Sequence, residues 1–202
     1  MTSANITPTV TDSAPEVRAD IVEAATRVFS EHGYDGASMA QIAAELGMRK
    51  PSLYHHVRKK EDLLFAIHGK LIDELTLETK QAIDAAADPA SQLAASLRVA
   101  MTFVSRNRDA VTVFLQENRA VKGERWAEVV DKRDAYELMV QEILANGAAS
   151  GAFIDIPPKI ASKAILAMAN WGYTWFNPDG PMSADEVADI FAGIALQGLS
   201  KP

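Results

Sequence analysis

Two short helical patterns separated by one glycine constrain this 202-residue chain more than any other feature. Residues 38–64 read SMAQIAAELGMRKPSLYHHVRKKEDLL. Ser38 is a good N-cap, and Gln41 three residues on completes a capping box, so a helix starts here. Met39, Ile42, Ala43 and Leu46 recur at helical spacing and form one apolar stripe. Gly47 follows where the chain must turn, because glycine takes positive φ without steric cost. Pro51 suits the first turn of a second helix, where a missing N–H loses no partner. Leu53 and Val57 then point inward at i, i+4, which leaves Lys50, Ser52, Tyr54, His55 and Arg58-Lys59-Lys60 outward. The pattern predicts helices over 38–45 and 51–57. Two such helices joined by a tight turn form a helix-turn-helix, which sets its second helix in the DNA major groove.

Charge supports that reading. Residues 49–60 hold five Lys or Arg, two His and no acid, while the chain has 20 basic and 27 acidic residues and a net charge of −7. A local positive patch on an acidic protein marks a defined nucleic-acid contact rather than a general affinity for polyanions. The adjacent histidines His55 and His56 do not make a metal site, since neighbours on a helix point in different directions.

The rest of the chain is predicted to be helical as well, because apolar stripes recur at helical spacing and no six-residue stretch alternates like a strand. A first helix is expected over 16–32, ended by Gly33, with Tyr34 packing beneath the helix-turn-helix. A fourth runs from Lys60 to about residue 85 with Leu64, Ile67, Leu71 and Leu75 inward. Further helices are expected over 89–107, 109–119, 123–146 and 157–176, with residues 145–153 as a Gly-rich exit. Ser183 and Glu186 cap the last one. The expected organisation is a disordered tail over 1–15, a DNA-binding domain over 16–62, and a ligand-binding and dimerisation domain over 63–202. The absence of cysteine fits a reducing cytoplasm, and no apolar run is long enough to span a bilayer. There is no Gly-rich phosphate loop, metal-ligand spacing or nucleophile motif, so an enzyme is the remote alternative and no cofactor is expected.

Phe29, Gly33, Tyr34, Ser38, Ile42, Ala43, Gly47, Leu53, Tyr54, His55 and Lys60-Glu61-Asp62-Leu63 together resemble the N-terminal domain of the TetR family of transcriptional repressors. The resemblance implies an all-α protomer of about nine helices, a homodimer, a palindromic operator and a ligand cavity in the C-terminal domain. It also implies that Ser38 and Tyr54 donate to phosphates, that Lys60 holds another phosphate, and that Lys50, Ser52 and His55 lie nearest base edges. For Tyr54 the competing reading is a half-buried core aromatic. Two positions depart from the family pattern: Arg49 stands where Ser or Thr usually caps the recognition helix, and Pro51 where Gly or Ala is common. Arg49 is a weak cap, and is free to contact a phosphate or a guanine edge. Trp175 to Pro181, Gly198-Leu199, Gln116-Glu117 and Arg133 are similar to a subgroup that represses fatty-acid, steroid and aromatic-acid breakdown and responds to acyl-CoA thioesters. A drug-efflux type of regulator with another hydrophobic effector is the alternative.

The expected cavity lies among the helices at 89–107, 123–146 and 157–176, lined by Met101, Phe103, Phe114, Arg133, Tyr136, Met139, Val140, Met168, Trp171 and Trp175. Ordinary core packing competes with this role at the apolar positions. Arg119, Arg133 and Lys163 are candidate partners for a phosphate or carboxylate, with surface solvation as the alternative. The last two helices are the expected dimer interface: Ala164 and Gly198 allow close approach, and Trp171, Phe191 and Ile194 supply apolar area.

Overall fold

A computed structural model describes residues 17–117, 120 and 124–200; the N-terminal tail and Arg119 lie outside the described residues. Among those residues there are ten helical segments and no strand: α1 (Ala19–Gly36), α2 (Met39–Glu45), α3 (Lys50–Tyr54), α4 (Lys60–Asp84), α5 (Pro89–Arg106), α6 (Arg108–Gln116), α7 (Glu124–Ser150), α8 (Pro158–Asn170), α9 (Gly172–Trp175) and α10 (Ala184–Leu199). The ninth is a single turn, so the all-α class and the number of substantial helices agree with expectation.

The caps explain most of the boundaries. Both reciprocal capping boxes form, Ser38 with Gln41 and Ser183 with Glu186. Asp88 accepts from the amides of Ala90 and Ser91 and starts α5, with Pro89 in its first turn. Gly47 turns the chain at φ 64°, and Gly33 at φ 70° breaks the end of α1.

Three boundaries differ from the sequence reading. The recognition helix α3 covers five residues, not seven, with His56 and Val57 in the turn that follows. α7 continues through Asn146 and Gly147 to Ser150, and Gly151 at φ 80° ends it. Gly147 serves a different purpose: Phe153 folds back onto α7, and a Cβ at 147 would lie 2.0 Å from that ring. The helix expected over 157–176 breaks at Trp171.

Two apolar cores are present, and α4 runs from one into the other. The first gathers Ile21, Val28, Phe29, Ile42, Leu53, Leu63, Leu64 and Ile67 from α1 to α4. The second gathers Leu71, Ile72, Leu93, Phe103, Phe114, Tyr136, Val140 and Leu166 from α4 to α8. α6 bridges the two as well, with Val113 in the first core and Phe114 in the second. No helix among the described residues is long and apolar enough to cross a membrane.

Candidate nucleic-acid interface and ligand cavity

The local fold of α2 and α3 sorts side chains cleanly. Met39, Ile42, Ala43, Leu53 and Val57 are buried, with Ile42 and Leu53 at 0% exposure. Arg49, Lys50, Tyr54, His55 and Arg58 are exposed, and Ser52 is half-buried. Tyr54 is 45% exposed, which places it on the surface of α3 rather than in the core. Lys50, one turn before it, holds its ammonium 6.0 Å from the Tyr54 ring centre. Arg49 caps nothing, as its type implies, so its guanidinium remains available. Among the described residues Arg49, Lys50 and Arg58 have no acidic partner within 4.0 Å. Arg58, part of the basic run, thus joins the expected set. Ser38 is exposed, but its hydroxyl donates to Gln41 Oε1 at 2.7 Å within the capping box.

Lys60 has partners within the protein. Expected to hold a phosphate, its ammonium instead donates to the carbonyls of Tyr34 and Ala37, the latter at 2.8 Å, and lies 4.4 Å from the Tyr34 ring centre. The reason is the end of α1, whose last carbonyls have no helical partner and draw a cation. The Tyr34 amide on the same corner donates to Glu117 Oε1 at 2.9 Å. Ser30 donates to Asp109 at 3.0 Å, so α6 is tied to α1 near both of its ends. Sequence spacing held no signal for these ties, since 79 and 83 residues separate the partners.

The other site is a cavity of about 290 Å³ lined by α4, α5, α6, α7 and α8. Leu71, Ile72, Leu75, Phe103, Phe114 and Leu166 give it an apolar body, and Arg133, Tyr136 and Glu137 give it polar positions. Its volume is at the small end of ordinary ligand pockets. Phe103, Phe114, Arg133 and Tyr136 therefore line it as expected. Arg133 has no ion pair among the described residues and lies 5.4 Å from the Phe114 ring centre. Burial pushes the Tyr136 phenol up to about 12, against a smaller opposing pull from the Thr79 hydroxyl, which falls short of hydrogen-bonding geometry.

Six expected lining residues are elsewhere. Met101 is fully buried in a separate cluster with Phe176, Val187 and Ala188, because its face of α5 packs on α10. Val140, one turn beyond Tyr136, is sealed in the core at 0% exposure. Met139 is half-buried on another face of α7 and lines no part of the cavity. Met168, Trp171 and Trp175 line an outer groove with Ala164, Ala167 and Phe191, because the helix break at Trp171 turns them outward. Lys163 lines both spaces and binds Glu137 at 2.9 Å, so this pair forms part of the wall between them. Burial opposes ionisation of Glu137, but hydrogen bonds from Lys163, Ser162 and Gln141 outweigh it and lower its pKa.

The outer face of α8 to α10 is unusually apolar. Ile160, Trp171, Trp175, Ile190 and Ile194 are each about half exposed or more, from 49% to 66%. Ala164 and Gly198 are exposed beside them and Phe191 is half-buried, so the five expected interface residues share one side of the molecule.

Residues 21–67 match the family model described as bacterial regulatory proteins of the tetR family, and residues 86–199 match a tetracyclin repressor-like C-terminal domain. The chain belongs to the TetR family. TetR-type relatives share its full architecture. The transcriptional repressor KstR2 of Rhodococcus jostii is 25% identical over 187 residues, 92% of each chain. The crystal structure of the TetR-family regulator PfmR from Thermus thermophilus superposes with a TM-score of 0.82 at 32% identity, covering 90% of this chain and 99% of that one. AibR, solved in complex with isovaleryl coenzyme A and operator DNA, gives a TM-score of 0.80 at 31% identity, covering 86% and 95%.

Proposed function

We propose that this TetR-family protein represses transcription as a homodimer on a palindromic operator and is released by a hydrophobic effector carrying an acyl group. The reading of the effector rests on one observation: a largely apolar cavity is lined by the guanidinium of Arg133, which has no ion pair among the described residues. Such a group in an apolar wall favours an anion or a strongly polarised oxygen. The likeness to AibR, a protein solved with a coenzyme A thioester, points the same way. A coenzyme A thioester of fatty-acid, steroid or aromatic-acid breakdown combines these features. At about 290 Å³ the cavity suits the acyl part, with the remainder of a thioester passing the Lys163–Glu137 wall into the outer groove.

On DNA, Lys50, Ser52 and His55 are assigned to base edges, and Ser38, Arg49 and Tyr54 to phosphates, with Arg58 added to the phosphate set. Lys60 acts one step back, by holding the corner between α1 and α2 that sets the angle of the helix-turn-helix. The paired apolar faces of α8 and α10 form the dimer interface and fix the distance between the two recognition helices, about 34 Å for successive major grooves. Effector between α4 and α6 favours a different dimer geometry and weakens DNA binding by its difference in affinity for the two states. Fluorescence anisotropy of labelled DNA from upstream of the protein's own gene tests this. Specific binding that a coenzyme A thioester reverses is expected. Specific binding untouched at saturating thioester would remove the effector part of the reading, and failure to bind any specific site would remove the repressor part.

A further inference from the structure

Among the described residues, the buried side-chain polar atoms without a hydrogen-bond partner are both ring nitrogens of His68 and Thr79 Oγ1. His68 is 0% exposed. Leaving a buried donor or acceptor unsatisfied costs on the order of 1–3 kcal/mol, so such a group needs an explanation. Its position supplies one. His68 stands on α4 at i−3 and i−4 from Leu71 and Ile72, and Leu75 follows at i+7; all three line the cavity. Residues at these spacings share one helix face, so His68 continues the cavity wall toward the DNA-binding core. What separates it from the cavity is Phe114, whose ring centre is 4.9 Å from the imidazole. Arg133 stacks on the same Phe114 ring and is close enough for its charge to act on His68.

We propose that His68 and Arg133 together form the polar end of the effector site, behind the Phe114 ring, and that they receive an acyl oxygen of the ligand. The inference rests on the cavity being the effector site. A neutral imidazole offers one N–H donor and one acceptor, and a guanidinium offers five donors. One carbonyl or carboxylate oxygen can accept from both groups, which a ligand without oxygen cannot do. Rotation of Phe114 gives the ligand access, and Phe114 lies on α6, the helix tied to α1 through Asp109 and Glu117. A carboxylate and a thioester carbonyl share this chemistry.

Isothermal titration calorimetry on the full chain tests the proposal. The probes are C4 to C10 carboxylates, their coenzyme A thioesters and the matching oxygen-free 1-chloroalkanes, titrated into wild type, His68→Leu, His68→Gln and Leu75→Trp. The acids or the thioesters are expected to bind wild type, and whichever series binds identifies the source of the oxygen. His68→Leu should weaken that series at least tenfold while changing chloroalkane binding less than twofold, and His68→Gln should recover part of the loss. Equal binding by wild type and His68→Leu overturns the inference. If Leu75→Trp, which fills the cavity, abolishes that binding, the cavity reading survives alone; if Leu75→Trp also has no effect, both fall. Absence of binding by every probe overturns both. Thermal melting of the free variants is a second readout. His68→Leu should melt at or above wild type, because it removes an unsatisfied polar group. Loss of folding in both His68 variants would mark a structural histidine and overturn the proposal.

Discussion

The α2–α3 pair and the cavity beneath α4 solve opposite problems with similar residue types. In the first, Met39, Ile42, Ala43, Leu53 and Val57 are buried with Leu46 half-buried, and every candidate contact residue except the half-buried Ser52 and Lys60 is exposed to water. Nothing there needs a partner to be stable. In the second, Arg133, without an ion pair among the described residues, and a deeply buried Tyr136 line a largely apolar cavity, and His68, with no hydrogen-bond partner among the described residues, is buried behind its Phe114 wall. The comparison teaches that side chains presented to water can satisfy every local rule, whereas polar groups set against an apolar interior depend on distant helices for their partners.

Five outcomes would break or sharpen that contrast. The largest concerns the support of the presenting face. Leu53→Ala removes a side chain at 0% exposure and should cost about 2–5 kcal/mol in denaturant unfolding, with DNA affinity lost in parallel. A cost below 1 kcal/mol would mean that α3 is loosely held.

Next comes the enclosed site. His68 has its pKa lowered from 6.5 to about 4, mainly by burial and secondarily by Arg133. The folded value lies below the unfolded one, so as pH falls the unfolded chain takes up the proton first. Stability from this group is complete above about pH 6.5 and declines to about pH 4, a total of about 3 kcal/mol at 1.36 kcal/mol per unit. Urea unfolding at pH 7.5 and pH 4.5 should show the loss in wild type and a reduced loss in His68→Leu. Identical pH dependence in the two proteins would contradict it.

Smaller effects separate contact from support on the DNA side. Arg58→Ala should leave the melting temperature unchanged and lower the slope of log affinity against log salt by about one, the signature of one phosphate contact. Lys60→Met should do the reverse, reducing stability through the α1–α2 corner while leaving the salt slope intact; a reduced slope would return Lys60 to the phosphate set. Smallest is Ser183→Ala, which should cost about 1 kcal/mol through loss of the α10 cap, read by thermal melting.

Legibility followed locality. The stripe of Met39, Ile42 and Ala43, the Ser38–Gln41 box and the Gly47 turn are interactions within ten residues, and the structure reproduces each. The contacts of Lys60 have no local signal because its partners lie 23 to 26 residues away, at the end of another helix. Of the ten expected cavity residues, Met101 and Val140 have the same composition and spacing as Phe103 and Tyr136. Only the packing of α10 against α5 and of α7 against α4 decides which faces look inward. A histidine on an apolar stripe has no distinctive local signature, and only the tertiary packing leaves the His68 ring nitrogens without a partner among the described residues.

The amino-acid sequence by itself determined the all-α class, the helix-turn-helix, the surface that presents Lys50, Tyr54 and His55, and the family to which the chain belongs. Helical period, caps and turn glycines act between neighbours along the chain, so one dimension carries them. The tertiary structure alone decided where the cavity lies, which cation is left unpaired within it, and that Glu117 and Lys60 grip the same corner from opposite sides. Those are consequences of how distant helix faces meet, and packing in three dimensions is set by the whole set of faces at once.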